Sequence, residues 1–149
     1  MTDQEARRRF AQARVARLAT TDTHHRPHIV PMIFALASQT DTDQTHSTDT
    51  VYSAVDAKPK RSTSLRRLAN IATNPHVAVL ADHYEDDWHA LWWVRADGTA
   101  RILNTNEPES RDAITLLVAR YPQYREQPPH GPVIAIDITH WSSWSAIDS

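Results

Sequence analysis

Cysteine is absent from the 149 residues, which excludes a disulfide framework, a thiolate metal site and a cysteine nucleophile at once. Glycine is scarce: Gly98 and Gly131 are the only two. A glycine-rich phosphate loop or a GxGxxG dinucleotide fingerprint needs several close together, so a nicotinamide cofactor on a Rossmann-type sheet is not expected. No apolar run approaches the roughly 20 residues of a membrane helix. The first 14 residues are charged rather than signal-like, so no membrane partner and a cytoplasmic location are expected. An excess of positive charge is missing too. With 16 basic against 18 acidic side chains and a net charge of −2, the chain lacks the field that accompanies nucleic-acid binding. No nucleic-acid partner is expected, and any basic patch is a local device.

What is present is an ordinary globular composition, 40% apolar and 23% charged, at a length that suits one domain over residues 1–149. Thr2 and Glu5 stand in capping-box positions, and Ala6, Phe10 and Ala13 recur at helical spacing, so a helix is predicted over 3–13. VARLATT (15–21) and HIVPMIFAL (28–36) read as a hairpin about a THHRP turn. The Thr/Asp-rich stretch 37–50 reads as an exposed, mobile loop without a functional role. A strand over 50–55 follows, then a helix carrying Leu65, Leu68, Ile71 and Ala72, capped by Ser62 or Ser64 and stopped by Asn74-Pro75. Further strands are predicted over 76–82, 90–103 and 132–147, with a helix opening at Pro108 and stopping at Tyr121-Pro122. Six short strands with few helices cannot form a doubly wound parallel sheet. A mainly antiparallel barrel is predicted.

The only two lysines, Lys58 and Lys60, are followed at once by Arg61, Arg66 and Arg67. Cations gathered where a strand turns into a helix meet the positive end of the helix dipole, and together these favour an anion such as a phosphate. The same cluster also fits a solvated helix face. His83, Asp86, Asp87 and His89 are metal-ligand types, but their spacing matches no rigid helix pair, so no metal is expected. Trp88, Trp92 and Trp93 lie together before or on the fifth strand, where they suit either a binding slot or packing. Trp141 and Trp144, three apart on a strand, face opposite sides.

Taken in order, VARLATT, RPHIVPMIFAL, VYSAVDAKPK, LRRLANIATNPHVAVLADHY, WWVRADGTARIL, ARYPQYR and IDITHWSSW resemble the split β-barrel flavin and deazaflavin reductases related to pyridoxamine-phosphate oxidase. Within these they look like the actinobacterial branch linked to the deazaflavin coenzyme F-420. The resemblance spans about residues 13–146 and rests on the order and spacing of the segments. It implies a six-stranded antiparallel split β-barrel with flanking helices, and a homodimer with the cofactor site at the interface. The implied activity is hydride transfer to a small conjugated or quinone-like acceptor, with coenzyme F-420 as cofactor and FMN as the alternative. The implied cofactor contacts are His28, Val30, Pro31 and Met32 on the second strand and Ser53, Ala54 and Val55 at the end of the third. Arg67 is implied at the phosphate, joined by Lys58, Lys60 and Arg61, and Trp92 beside the ring. Such hydride chemistry needs no nucleophile or acid–base triad, and the sequence singles out no proton donor. The resemblance also makes 90–103 a single strand with a bulge at Gly98, and THH stands where a tight glycine turn is usual.

Overall fold

The structure is a computed structural model that describes residues 1–40, 47–55 and 62–147. Helix α1 (Asp3–Gln12) begins where Thr2 Oγ1 accepts the Glu5 N–H at 3.1 Å. Strands β1 (Ala16–Thr21) and β2 (Pro27–Met32) form the first hairpin, and β3 (Ala35–Thr40) and β4 (Ser47–Ala54) the second. Helix α2 (Ser62–Thr73) ends before Asn74-Pro75, and β5 (His76–His83) leads through a short 3-10 turn to β6 (Trp92–Leu103). Helices α3 (Pro108–Arg120) and α4 (Pro122–Glu126) precede β7 (Val133–Ser145).

The seven strands form one antiparallel sheet in the order β2-β1-β5-β6-β7-β4-β3. Its two edge strands are consecutive in the chain, joined only by Ile33 and Phe34. Four residues span at most about 10–14 Å, so the sheet curls until its edges meet at that corner without pairing, which is a split barrel. Side-chain bonds pin the corner. Ser53 Oγ donates to Ile33 O at 2.8 Å, and the Tyr121 hydroxyl meets both Phe34 N, at 3.1 Å, and Phe34 O, at 2.9 Å.

Alternation follows from the pleat. Leu18, Val51, Val79, Val94, Ile134 and Ile136 fill the inside, and Phe10 of α1 closes the barrel against Phe34 and Trp141, with ring centroids 4.9 and 5.2 Å away. Helix α3 covers the opposite side of β7, where Leu103, Ala113, Val133 and Ala135 pack together. Residues 133–136 are therefore buried on both faces, and they read as an unbroken apolar run.

Two expectations are corrected. The strand predicted over 28–36 breaks at Ile33-Phe34, because its halves belong to opposite sheet edges, so the strands among the described residues number seven rather than six. The stretch 37–50 is not a loop throughout: Ala35 to Thr40 pair with Tyr52 back to Ser47. Its Asp49 is 6% exposed and accepts hydrogen bonds from Ser38 Oγ (2.6 Å), Arg7 Nη2 (2.7 Å) and Trp141 Nε1 (3.0 Å). Polar composition hid a hairpin whose buried carboxylate ties α1 to β4 and β7. The bulge in β6 is present, as a register shift between Asp97 and Gly98.

Candidate functional site

The turn from β1 to β2 is built around Asp22, whose Oδ1 accepts the N–H groups of His24 (2.8 Å) and Arg26 (2.9 Å). The Arg26 N–H is the main reason its carboxyl falls to about 2, with burial opposing and His24 assisting. His25 takes φ 62°, the left-handed conformation usually left to glycine. The Asp22 bonds hold it there, which explains how a histidine pair replaces a glycine turn. Oδ2 of Asp22 lies 3.5 Å from His28 Nε2.

His28, Val30 and Met32 share the inward side of β2, opposite Thr20, Leu18 and Ala16 of β1, while Pro31 points to the outer face. His28 lines an open cleft of about 670 Å³ with Asp22, Arg26, Arg66 and Asn70. The far wall of the cleft is α2, where Asn70, 5% exposed, donates from Nδ2 to Thr20 Oγ1 at 3.0 Å.

Arg67 sits one position round the helix from Arg66 and is half-buried. Its Nε is buried and has no hydrogen-bond partner among the described residues. Burial pulls its pKa below the ordinary arginine value, with Tyr124 partly offsetting. No carboxylate pairs with it among the described residues. Lys58, Lys60 and Arg61 lie outside the described residues, as does the side-chain capping expected of Ser62 or Ser64.

The remaining implied contacts are more dispersed. Ser53 is buried and already bonded to Ile33 O. The Val55 N–H is bonded to Pro132 O at 2.9 Å, so it is not free to meet a ring edge, and Ala54 packs in the cluster of Leu117 and Tyr121. Trp92 lies at the other end of the sheet, paired with His83 and Ser145, with the Arg9 guanidinium 5.7 Å over its ring. Within one chain it is thus brought to α1, not to the β2–α2 cleft. Trp88 is 75% exposed. His83 pairs with Glu85 and His89 with Asp87, and no three metal-ligating side chains converge among the described residues.

Asp22 and Asn70 were not singled out by sequence pattern, and Arg66 was named only as a member of the basic cluster, not among the implied cofactor contacts. An aspartate opening a turn was a signal for Asp22. Which of two adjacent arginines faces the cleft depends on how α2 docks.

A curled, split antiparallel sheet with a cleft between its edge strand and the following helix defines the split-barrel class. The chain belongs to the pyridoxamine 5'-phosphate oxidase family, whose sequence profile matches residues 2–145. The conserved hypothetical protein Rv2991 of Mycobacterium tuberculosis shares the fold at 20% identity and TM-score 0.70, over 98% of this chain and 86% of that one. An FAD-binding protein (mll6688) of Mesorhizobium loti shares it at 17% identity and TM-score 0.67, over 96% and 94%. The heme storage protein HutZ of Vibrio cholerae does so at 15% identity and TM-score 0.64, over 96% and 93%. No curated protein matches the chain. Among the described residues no helix is long and apolar enough to cross a membrane.

Proposed function

We propose that the chain binds a phosphate-bearing redox heterocycle and acts as an oxidoreductase. In this reading the cofactor is the deazaflavin coenzyme F-420 and the acceptor a small conjugated or quinone-like molecule. Arg67 carries the proposal. An arginine half-buried without a counter-ion is costly, and an anion held against its fork would supply the missing acceptor. The residues present therefore fit a phosphate group, and Lys58, Lys60 and Arg61 just ahead in sequence add charge of the same sign. When bound, the reduced deazaflavin supplies a hydride.

The chain's own part is binding, orientation and exclusion of water. His28, Val30 and Met32 offer the inner side of β2, Arg66 and Arg67 the helix, and Asp22 and Thr20 fix the His28 and Asn70 side chains.

The reading includes a homodimer. Ile29, 64% exposed, and Trp144, 42% exposed, lie on the outer sheet face with Pro31, Leu80 and Trp93. Arg17, Asp82 and Arg95 stand among them, and such a mixture of exposed apolar residues with charges suits a second copy.

Titration with oxidised coenzyme F-420 is expected to quench its fluorescence, and Arg67→Ala to weaken binding about tenfold or more, as for a lost charge-assisted bond. No saturable binding would overturn the proposal. A second reading, FMN as cofactor, is favoured by the FAD-binding neighbour; protein that purifies yellow would select it. A third, non-catalytic cofactor binding, is favoured by the heme storage neighbour; tight binding without turnover on any acceptor would select that one.

A further inference from the structure

We propose that His28 and Asp22 form an acid–base pair, in which His28 gives the acceptor its proton and Asp22 holds the imidazole in place to do so. The inference rests on the oxidoreductase reading for the direction of the reaction, and it narrows the acceptor to a conjugated carbonyl compound. Reduction of such a compound needs a hydride and then a proton.

His28 Nε2 lies 3.5 Å from Asp22 Oδ2. That is the long end of hydrogen bonding, as in many catalytic pairs before a ligand closes on them. The carboxylate is fixed, because Oδ1 accepts the His24 and Arg26 N–H groups at 2.8 and 2.9 Å. The Arg26 N–H above all keeps it ionised, at about 2. An anion facing Nε2 selects the Nε2–H form of the neutral ring, which leaves Nδ1 to take or give a proton. The two side chains are 27% and 21% exposed, sheltered yet within reach of a ligand. They line the cleft of about 670 Å³, so the pair opens onto space that a small molecule can fill.

The charges facing His28 suit this chemistry. Arg26 and His24 come from the turn and Arg66 from α2, all lining the same cleft, while β1 faces His28 with the uncharged Thr20. Asp22 is the only carboxylate lining the cleft among the described residues, and neither arginine is ion-paired among them. Negative charge developing on a carbonyl oxygen here meets two guanidinium groups. As hydride reaches the β-carbon, the electron pair of the C=C bond moves onto that oxygen and gives an enolate. Nδ1 of the charged imidazole gives its proton to the α-carbon, the C=O bond re-forms, and the ring regains a proton from water. Asp22 touches no substrate atom and is a positioning residue.

The proton step can be run backwards without a cofactor. The full chain is incubated in D2O with cyclopentanone, and deuterium entry at the α-carbons is followed by NMR. The parent is expected to accelerate exchange saturably above buffer. His28→Ala is expected to lower that rate about a hundredfold, and added imidazole to restore part of it beyond what imidazole does without protein. Asp22→Asn keeps an oxygen for the two N–H groups but loses the charge, and a rate about tenfold lower is expected. The proposal is overturned if the parent gives no exchange above buffer, if either variant exchanges as the parent does, or if imidazole does not rescue His28→Ala. Reduction of cyclopent-2-enone by reduced coenzyme F-420 is measured separately. Exchange without reduction would overturn the oxidoreductase reading and leave the acid–base pair standing.

Discussion

Substitution of Gly98 by alanine sets two effects of opposite sign against each other. In an unobstructed strand the change is expected to stabilise by about 0.5–1 kcal/mol, because glycine loses more backbone freedom on folding. Here a Cβ would lie 2.4 Å from Asp137 O and 2.9 Å from Ile136 Cγ2, against an ordinary contact of 3.4 Å or more. The nearer obstacle is backbone. Asp137 is paired on one side with Thr50 and on the other with Thr99, so its carbonyl cannot withdraw without disturbing a ladder. Overpacking of this kind costs about 1–3 kcal/mol, and a weakened ladder bond adds about 1 kcal/mol. The obstruction wins, with a net loss of about 1–3 kcal/mol. At about 2–4 °C per kcal/mol for a chain of this size, Tm is expected to fall by roughly 2–12 °C. Thermal and urea unfolding of Gly98→Ala, with an unchanged urea slope, measure it. An equal or higher Tm would refute the claim that β7 leaves no room at the bulge.

Further outcomes follow from two polar networks. Tyr52 is pushed up to about 12, chiefly by burial and then by the Glu109 carboxylate, while Glu109 is drawn down to about 2 by Arg101. Glu109→Gln is expected to bring the Tyr52 transition back toward 10 in an ultraviolet pH titration. The Glu109 contribution to stability is expected above its unfolded value near 4.5 and to fade as pH falls toward 2. Burial raises the pKa of Asp49, but bonds from Ser38, Arg7 and Trp141 outweigh it and leave it lowered. Its stabilisation is accordingly present above the unfolded aspartate range and lost as pH falls through the folded value. Asp49→Asn is expected to cost about 2–4 kcal/mol in denaturant unfolding, since it breaks a buried charged network, and to change Trp141 fluorescence. Loss of less than about 0.5 kcal/mol would count against a structural role for that carboxylate.

Local signals carried much of the architecture. Pro108 and Tyr121-Pro122 bracket α3, Asn74-Pro75 stops α2, and Thr2 opens α1, because caps and prolines act within a few residues of where they stand. Alternation could not show that the apolar run from His28 to Leu36 is cut at a barrel corner. That break serves the closure of two edges, and the residues that pin it, Ser53 and Tyr121, come from elsewhere in the chain. Composition likewise misjudged 37–50. Asp49 looks like a loop residue until Arg7 and Trp141 converge on it, and they lie 42 and 92 positions away.

By itself, then, the sequence determined the type and order of the elements outside residues 33–50 and the short α4, the exclusion of glycine-loop and cysteine chemistry, and the basic character of the segment leading into α2. These depend on residue identity and short-range backbone preference. Only the tertiary structure decided that Arg66 faces the cleft while Arg67 is half-buried with no carboxylate partner among the described residues, and that Trp92 sits against α1. Adjacent residues on a helix differ by about 100° in direction, so their environments are set by what packs against each side.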